Sequence, residues 1–188
     1  MFKVYEIEDV ARIPPSLFGM DLRRAAREIL EEKYLHLVNE EFGYIIAIFD
    51  VEVEPRGKLV LGDGATYHKV RFKAVSFYPS LQEVVEGDVV DIQEFGAFVR
   101  LGPVDAFIHV SQIADDYIVY DEAQPAFICK KTRRVLRRGD IVRARVIAIS
   151  LSSAAKSRIG LTMRQPFLGK LEWIWEDLKK LEEAKASG

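Results

Sequence analysis

The residues that could do chemistry are aromatic and cationic side chains in the second half of the 188-residue chain. Phe95 and Phe98 flank Gly96, and His109 follows in the next apolar segment. Exposed aromatic rings stack on bases and cations neutralise phosphates, so the combination is typical of single-stranded nucleic-acid binding. The candidate nucleic-acid contacts are Phe95, Phe98, Arg100, His109, Arg143, Arg145, Arg158 and Arg164.

Charge is distributed unevenly along the chain, although the formal net charge is only −2. Residues 81–129 contain ten acidic residues and one basic residue, a balance of −9. Residues 130–164 contain eleven basic residues and one acidic residue, a balance of +10. Such a block of cations creates the field that a phosphate backbone requires, so the pattern favours nucleic acid as a partner.

Composition argues against several classes of protein and of site. An apolar fraction of 49% with 30% charged residues is typical of a folded globular protein. No apolar run approaches the ~20 residues of a membrane helix, and no apolar block follows Met1, so we expect a cytoplasmic protein without a membrane segment. One cysteine and three histidines argue against a disulfide or a metal site, and we expect no cofactor.

Pairs of adjacent carboxylates, such as Asp115-Asp116 and Glu31-Glu32, could suggest acid-base catalysis or magnesium binding. Adjacent acids on a loop or an exposed helix are usually solvated. No P-loop, nucleophile elbow or HExxH motif accompanies them. We therefore expect no active site on this chain.

The first half of the chain combines strand and helix patterns. Asp21 is a plausible N-cap, and apolar residues recur at helical spacing from Leu22 to Leu37. These elements predict an α+β domain, an antiparallel sheet with a helix that is RNP-like. The predicted strands are Phe2–Ile7, Gly43–Val53, Leu59–Leu61 and Tyr67–Phe77, the last two forming a hairpin.

The second half has short strands at regular spacing and predicts a small all-β barrel of the OB type. A hinge at Pro79 divides the chain into predicted domains at 1–79 and 80–188. The excursion 111–138 is too long for an ordinary connection, and an amphipathic helix ends the chain, packed on its own barrel or on a partner. The predicted strands are Asp88–Glu94, Phe95–Leu101, Ala106–Val110, Asp140–Ile149 and Arg158–Met163.

Strand alternation separates the barrel core from its surface. Phe95 and Phe98 would face opposite sides of a regular strand, so we predict a bulge at Gly96 that turns Phe95 to the side of Phe98. The arginines of the last two strands alternate with apolar residues and point outward. One outer surface is therefore expected to collect the rings and the guanidiniums.

Four segments of the second half resemble the S-one domain, an OB-fold module that binds RNA, over roughly residues 81–164. The segments are Glu86–Val90, Phe95–Val99, Phe107–Ser111 and Arg158–Thr162. The resemblance implies that Phe95, Phe98, His109 and Arg158 face RNA. The chain departs from the family at Ala106-Phe107, where a Gly-Leu pair is common, and at Ser150, where an Asp is common.

The first half is similar to the E-prime family of archaeal RNA polymerase subunits, in the segments Phe42–Ile46, Gly62–Gly64 and Phe72–Val75 and in the join at Pro79. The resemblance implies that the N-terminal domain docks on the polymerase core, that the chain pairs with the F subunit of the polymerase, and that the OB domain holds exiting single-stranded RNA as part of a stalk. By resemblance, the candidate docking residues are Pro14, Pro15, Gly19, Gly62, Asp63 and Gly64.

Other functions carry an S-one module too. An exosome cap protein would add a KH domain with a GxxG loop or a zinc ribbon, and the sequence supplies neither. A translation factor would place the S-one module first in a longer chain. A scaffold that never touches RNA is the remaining alternative.

Overall fold

The computed structural model describes residues 1–35, 38–39, 41–151 and 158–186. The chain divides into two compact units. Of the described residues, the first contains Met1–Tyr78 and Leu151, and the second contains Pro79–Ser150 and 158–186.

The first unit is an antiparallel sheet with one helix. The strand order is β1-β5-β3-β2, and β4 pairs with β5 at the side. The pairing of β1 with β5 is continuous from Phe2 opposite Phe77 to Ile13 opposite Thr66. The elements are β1 (Phe2–Ile13), α1 (Leu22–Tyr34), β2 (Val38–Asn39), β3 (Gly43–Val53), β4 (Lys58–Leu59) and β5 (Thr66–Phe77).

Helix α1 starts where the sequence predicts, because the Asp21 carboxylate accepts the backbone N–H of Arg24 at 3.2 Å. Its apolar face covers the sheet, and Leu30 is fully buried there. The predicted apolar face also included Leu37, which lies outside the described residues. The core of this unit contains Ala11, Ile13, Ala25, Ala26, Leu30, Ile45, Ile48, Val51, Val70, Phe72 and Ala74.

Strand β1 is longer than the predicted Phe2–Ile7. Asp9 interrupts the apolar pattern, yet it occupies a half-buried position between Ile7 and Ala11. Its carboxylate accepts hydrogen bonds from Lys33 Nζ at 2.6 Å and Tyr34 Oη at 2.9 Å. Burial opposes ionisation, but these bonds outweigh it and lower the pKa of Asp9. The strand can therefore continue through a polar residue.

Asp63 fixes the loop that connects β4 to β5. The predicted strand Leu59–Leu61 is wrong in extent, since β4 ends at Leu59 and Val60 and Leu61 stay exposed. The Asp63 carboxylate accepts hydrogen bonds from Arg12 Nε at 2.8 Å and Tyr67 Oη at 2.6 Å. Arg12, and then Tyr67, hold the pKa of Asp63 well below its ordinary value of 3.8. Asp63 thereby ties the loop to β1 and β5.

The second unit is a closed five-stranded barrel with an OB-like order. Its sheet runs β13-β8-β7-β6-β12, and a β12–β13 pairing closes it. Strand β14 (Gly169–Lys170) adds to β12, and helix α2 (Leu171–Ala186) follows. The barrel strands are β6 (Val84–Gln93), β7 (Gly96–Arg100), β8 (Asp105–His109), β12 (Ile141–Ser150) and β13 (Arg158–Thr162).

The predicted architecture is confirmed: an α+β sheet with a helix, an OB-like barrel, and a C-terminal helix. The excursion between β8 and β12 forms a separate three-stranded antiparallel sheet of order β11-β10-β9. Its strands are β9 (Ile118–Asp121), β10 (Ala126–Cys129) and β11 (Val135–Arg137).

The first turns of α2 pack on the second unit itself. Trp173 and Ile174 are buried, and Arg134 from the excursion donates to Trp173 O at 3.3 Å. Arg134 also forms an ion pair with Asp177. Neither helix in the described ranges is long and apolar enough to cross a membrane.

Truncating the helix core should destabilise the first unit. Leu30→Ala removes a fully buried side chain and should lower the free energy of unfolding by about 2–5 kcal/mol. Leu61→Ala is the matched control, since Leu61 is fully exposed and its loss should change stability by less than about 0.5 kcal/mol. Urea titrations followed by circular dichroism measure both. Equal effects of the two substitutions would contradict the assigned core.

The hydrogen bonds of the Asp63 carboxylate to Arg12 and Tyr67 should make the stability of the first unit depend on pH. The folded state lowers the pKa of Asp63, so its contribution is present above pH ~4 and is lost as pH falls through the lowered pKa. Asp63→Asn should therefore lower the melting temperature at pH 7, and the gap to the parent protein should narrow below pH ~4. Glu32→Gln, at an exposed helix position, is the control. A gap that stays constant down to pH ~2 would rule out this role.

Candidate nucleic-acid interface

Strands β7 and β8 place two phenylalanines side by side on the outside of the barrel. Phe98 is directly opposite Phe107 in the antiparallel register. Their strand neighbours Ala97 and Ile108 point inward and are fully buried. Because successive side chains alternate between faces, Phe98 and Phe107 both point outward.

Phe95 joins them to form a group of three rings, here called the aromatic cluster. The ring centroids of Phe95 and Phe98 are 6.3 Å apart, those of Phe95 and Phe107 5.7 Å, and those of Phe98 and Phe107 5.3 Å. Phe95 is 50% exposed, and the other two rings are half-buried. The rings therefore keep surface for a stacked base.

Phe95 reaches the cluster by a different route from the predicted bulge at Gly96, which is wrong. Gln93 pairs with Gly96, so Phe95 belongs to the two-residue connection of the β6–β7 hairpin. The register shift lies instead in β6, between Val89 and Asp91. A turn residue is not bound by strand alternation, and this frees Phe95 to face Phe98.

Gly96 has another function in the site. A Cβ at this position would collide with Ile108 O and would lie 2.6 Å from the Phe107 ring. Glycine therefore lets the Phe107 ring lie directly over the backbone of β7. Phe107 was absent from the predicted contacts, although its outward position in the alternating pattern was the signal for it.

His109 lies next to the cluster, with its ring centroid 6.4 Å from that of Phe107. Its Nδ1 accepts the backbone N–H of Ser111 at 3.2 Å and lies 2.8 Å from Ser111 Oγ. An Nδ1 that accepts leaves the proton of the neutral ring on Nε2. The exposed imidazole can therefore donate a hydrogen bond from Nε2.

Two arginines lie on strands that carry or adjoin the cluster. Arg100 shares the outer face of β7 with Phe98, and its guanidinium pairs with Asp105 at 2.9 Å. Arg158 begins β13, which pairs with β8 at Phe107. Arg158 is exposed, and its guanidinium has no hydrogen bond or ion pair with any residue that the structure describes. Its charge is therefore open to a ligand.

Arg143 and Arg145 point outward as predicted, but they lie on β12, between β6 and β13. In a closed barrel, β12 is two strands from either β7 or β8, so its outer side chains face another direction. Arg143 pairs with Glu86 at 2.7 Å, and Arg145 donates to Gln165 Oε1 at 2.6 Å. The expected single surface does not include these two residues, and their contact with RNA stays a prediction.

The last candidate arginine, Arg164, follows β13 and faces the excursion. Its Nη2 lies 2.5 Å from Asp115 Oδ1. This ion pair joins the end of β13 to the start of the excursion.

The border of the cluster is acidic on one side. Asp91 pairs with Phe98 in the β6–β7 register, and Asp88 pairs with Arg100. Both acids are exposed. The β6 side of the cluster therefore repels phosphates, whereas the β13 side presents Arg158.

The predicted docking residues lie in two segments that the first unit brings together. Pro14 precedes a short 3-10 turn, Pro15–Leu17, and a Cβ at Gly64 would lie 3.4 Å from Pro15 Cγ. A Cβ at Gly19 would meet nothing within 4 Å, so packing does not require glycine there. Apolar side chains beside these segments are exposed and were absent from the predicted docking residues: Phe18, Leu59, Val60 and Leu61.

Metal binding finds no support among the described residues, since no three His, Cys, Asp or Glu side chains form a ligand group there.

Each half of the chain matches the model of a known domain family. Residues 8–64 match the model of the SHS2 domain found in the N terminus of Rpb7p/Rpc25p/MJ0397, and residues 78–163 match the S1 RNA binding domain. S1 and S-one are the same domain name.

Relatives that match over nearly the whole chain are subunits of DNA-directed RNA polymerases. DNA-directed RNA polymerase subunit Rpo7 of Saccharolobus shibatae is 43% identical over 95% of this chain and 100% of its own length. Rpo7 of Sulfolobus acidocaldarius is 38% identical over 96% and 98%. DNA-directed RNA polymerase III subunit RPC8 of Bos taurus is 30% identical over 68% of this chain and 63% of its own. The chain belongs to the Rpo7 family of DNA-directed RNA polymerase subunits.

Proposed function

We propose that this chain is a non-catalytic stalk subunit of an archaeal RNA polymerase that holds single-stranded RNA as it leaves the enzyme. The observation that carries the proposal is the aromatic cluster, which presents three rings on the outer face of the barrel next to His109. On the adjoining strand β13, the exposed Arg158 has no side-chain partner among the described residues. Nucleotidyl transfer would take place on other subunits.

The geometry favours one arrangement of the RNA. Bases stack on the rings of Phe98, Phe107 and Phe95, and each stacked base contributes about 1–3 kcal/mol whatever its identity. Phosphates lie toward Arg158, because Asp88 and Asp91 repel them on the β6 side. Such binding selects weakly for sequence, as holding a transcript of any sequence requires.

The candidate arginines differ in their proposed contribution. Arg158 is open to a phosphate, whereas Arg100, Arg143 and Arg164 would each have to leave an acidic partner. Breaking an exposed ion pair costs little, so these residues can still add to the field around the barrel. We therefore assign the main ionic contact to Arg158.

The proposed docking domain is residues 1–79, which is Met1–Tyr78 of the first unit together with Pro79, and residues 80–188 form the proposed RNA-binding domain. The docking surface combines the predicted turn residues with the exposed Phe18, Leu59, Val60 and Leu61. Exposed apolar side chains grouped on a loop are typical of protein interaction sites. Asp63 would keep this loop in place for docking.

Pairing with the polymerase's F subunit, as a heterodimer, and a cytoplasmic location are parts of the same proposal, and membership of a polymerase family supports them. The exosome and translation alternatives lose support, since the relatives described above are polymerase subunits.

Removing the stacking and hydrogen-bonding groups should weaken RNA binding. Phe98→Ala combined with His109→Ala should cost at least about 1–3 kcal/mol of binding to an oligouridine, because one stacking surface is lost. Fluorescence anisotropy with the full chain measures the affinity. Association with the polymerase core, scored by co-purification, should remain, because docking belongs to the other unit.

Two single substitutions compare the contributions of Arg158 and Arg143 to the ionic binding of RNA. Arg158→Gln should reduce the dependence of log affinity on log salt by about 0.7, the value for one phosphate contact on a single strand. Arg143→Gln, its matched control, should leave the slope nearly unchanged because Arg143 lies on another side of the barrel. A larger change in salt slope for Arg143→Gln than for Arg158→Gln would contradict the proposed path and indicate that the RNA passes over β12.

Charging the apolar loop should block docking. Leu61→Asp places a carboxylate in the proposed apolar contact and should abolish co-purification with the polymerase core. RNA binding by the variant should equal that of the parent protein. Leu181→Asp alters another exposed leucine, on α2, and is the control. Retained core association of Leu61→Asp would exclude the loop from the docking surface.

A further inference from the structure

A second group of cations lies in the excursion, on the turn that joins β10 to β11. The turn consists of Lys130, Lys131, Thr132 and Arg133, and we call it the basic turn. All four residues are exposed. The β10–β11 pairing continues up to its base, where Cys129 N donates to Arg134 O at 2.9 Å.

Asp116 fixes the backbone of the basic turn. Its carboxylate accepts the backbone N–H groups of Lys131 at 3.1 Å and Thr132 at 2.9 Å, and the Thr132 hydroxyl at 2.9 Å. Desolvation raises the pKa of Asp116, but these hydrogen bonds outweigh it and bring the pKa to about 2. The turn is therefore held in one shape at neutral pH by an ionised carboxylate that its backbone satisfies.

The side-chain cations of the basic turn lack ion-pair partners within the described ranges. No ion pair reaches Lys130, Lys131 or Arg133 from any residue that the structure describes. Three arginines of the barrel unit differ in this respect, since Arg100, Arg143 and Arg164 each pair with a carboxylate. The basic turn therefore presents three side-chain cations to a ligand, against the one negative charge of the Asp116 carboxylate on its backbone.

An aromatic ring accompanies these charges. Tyr117 is 65% exposed, and the Lys130 ammonium lies 5.0 Å from the centroid of its ring. Lys130 N donates to Tyr117 O at 2.9 Å, so the two residues are also joined through the backbone. An exposed ring beside unpaired cations repeats the chemistry of the aromatic cluster.

The start of the excursion connects the aromatic cluster to the segment that carries Tyr117 and the basic turn. His109 caps the short turn Val110–Gln112, and Gln112 O accepts the Met163 N–H at 2.8 Å. Tyr117 follows His109 by eight residues, so their Cα atoms can be at most ~29 Å apart. OB folds bind up to ~16 nucleotides of single strand, which is enough to cover both.

We propose that the basic turn and Tyr117 form a second contact for the phosphate backbone of the RNA strand held by the aromatic cluster. This inference rests on the proposed function and extends it: the footprint would run from the barrel onto the excursion. A short RNA would fill the cluster alone, and a longer one would reach the basic turn.

The composition of the turn favours a nucleic acid over a protein. Protein interfaces have an apolar centre from which charged residues are depleted. The basic turn exposes three cations and a threonine, without an exposed apolar side chain among them. Charge without an apolar centre suits a phosphate backbone.

Two oligouridines test the inference, one of about four nucleotides and one of about sixteen, the limits of OB-fold site sizes. The variant carries Lys130→Gln, Lys131→Gln and Arg133→Gln in the full chain. Its affinity for the long RNA should fall, and its salt slope should decrease by about 2, or about 0.7 for each of three phosphate contacts. Its affinity for the short RNA should not change.

The control removes the same charge elsewhere, by Lys179→Gln, Lys180→Gln and Lys185→Gln on α2, and should bind both RNAs as the parent protein does. An unchanged salt slope in the basic-turn variant would overturn the inference. Equal losses for short and long RNA, or equal losses in the control, would overturn it too. An unchanged slope with lost association to the polymerase core would identify a protein-docking turn. A parent protein that binds neither RNA would refute the proposed function itself.

Discussion

The close approach of the Phe107 ring to the backbone of β7 at Gly96 is the contact on which the proposed RNA site depends. Strand alternation alone would place Phe98 and Phe107 on the same outer face, but it would not bring a bulky ring down onto the neighbouring strand. The missing side chain at Gly96 permits this. Phe107 then supports Phe95 and Phe98, with centroids 5.7 and 5.3 Å away, and the three rings form one surface for stacking.

Local pairing, more than total charge, decides which cations can bind RNA. Residues 130–164 hold eleven basic residues, and a count of charges along the sequence weights all of them equally. In the folded protein, Arg134 is half-buried against α2, where it contacts Trp173 and Asp177, and Arg143 is paired with Glu86. A paired guanidinium contributes little net field, because its partner cancels it at short range. Among the described residues of this block, the cations without an ion pair or a side-chain hydrogen bond are those of the basic turn, Arg137, Arg138 and Arg158.

Much of the fold could be predicted because it follows from local pattern. Alternation placed the inward and outward residues of β7, β8, β12 and β13 correctly, and Asp21 marked the start of α1. The features that could not be predicted depend on contacts between distant residues. Strand β1 continues through Asp9 because Lys33 and Tyr34, 24 and 25 residues away, donate hydrogen bonds to the Asp9 carboxylate. The basic turn depends likewise on Asp116, 15 residues before Lys131.

The acidic border of the aromatic cluster affects how a transcript could be held. Stacking alone would let a strand lie across the rings in any direction, since every base has a π-face. Asp88 and Asp91 lie along β6, and Arg158 lies on β13. A phosphate would therefore be repelled on the β6 side of the cluster and attracted on the β13 side. The excursion that carries the basic turn follows β8, whose last residue is His109. Weak contacts arranged in this way would guide a strand along one path without reading its sequence, because repulsion on one side acts together with attraction on the other.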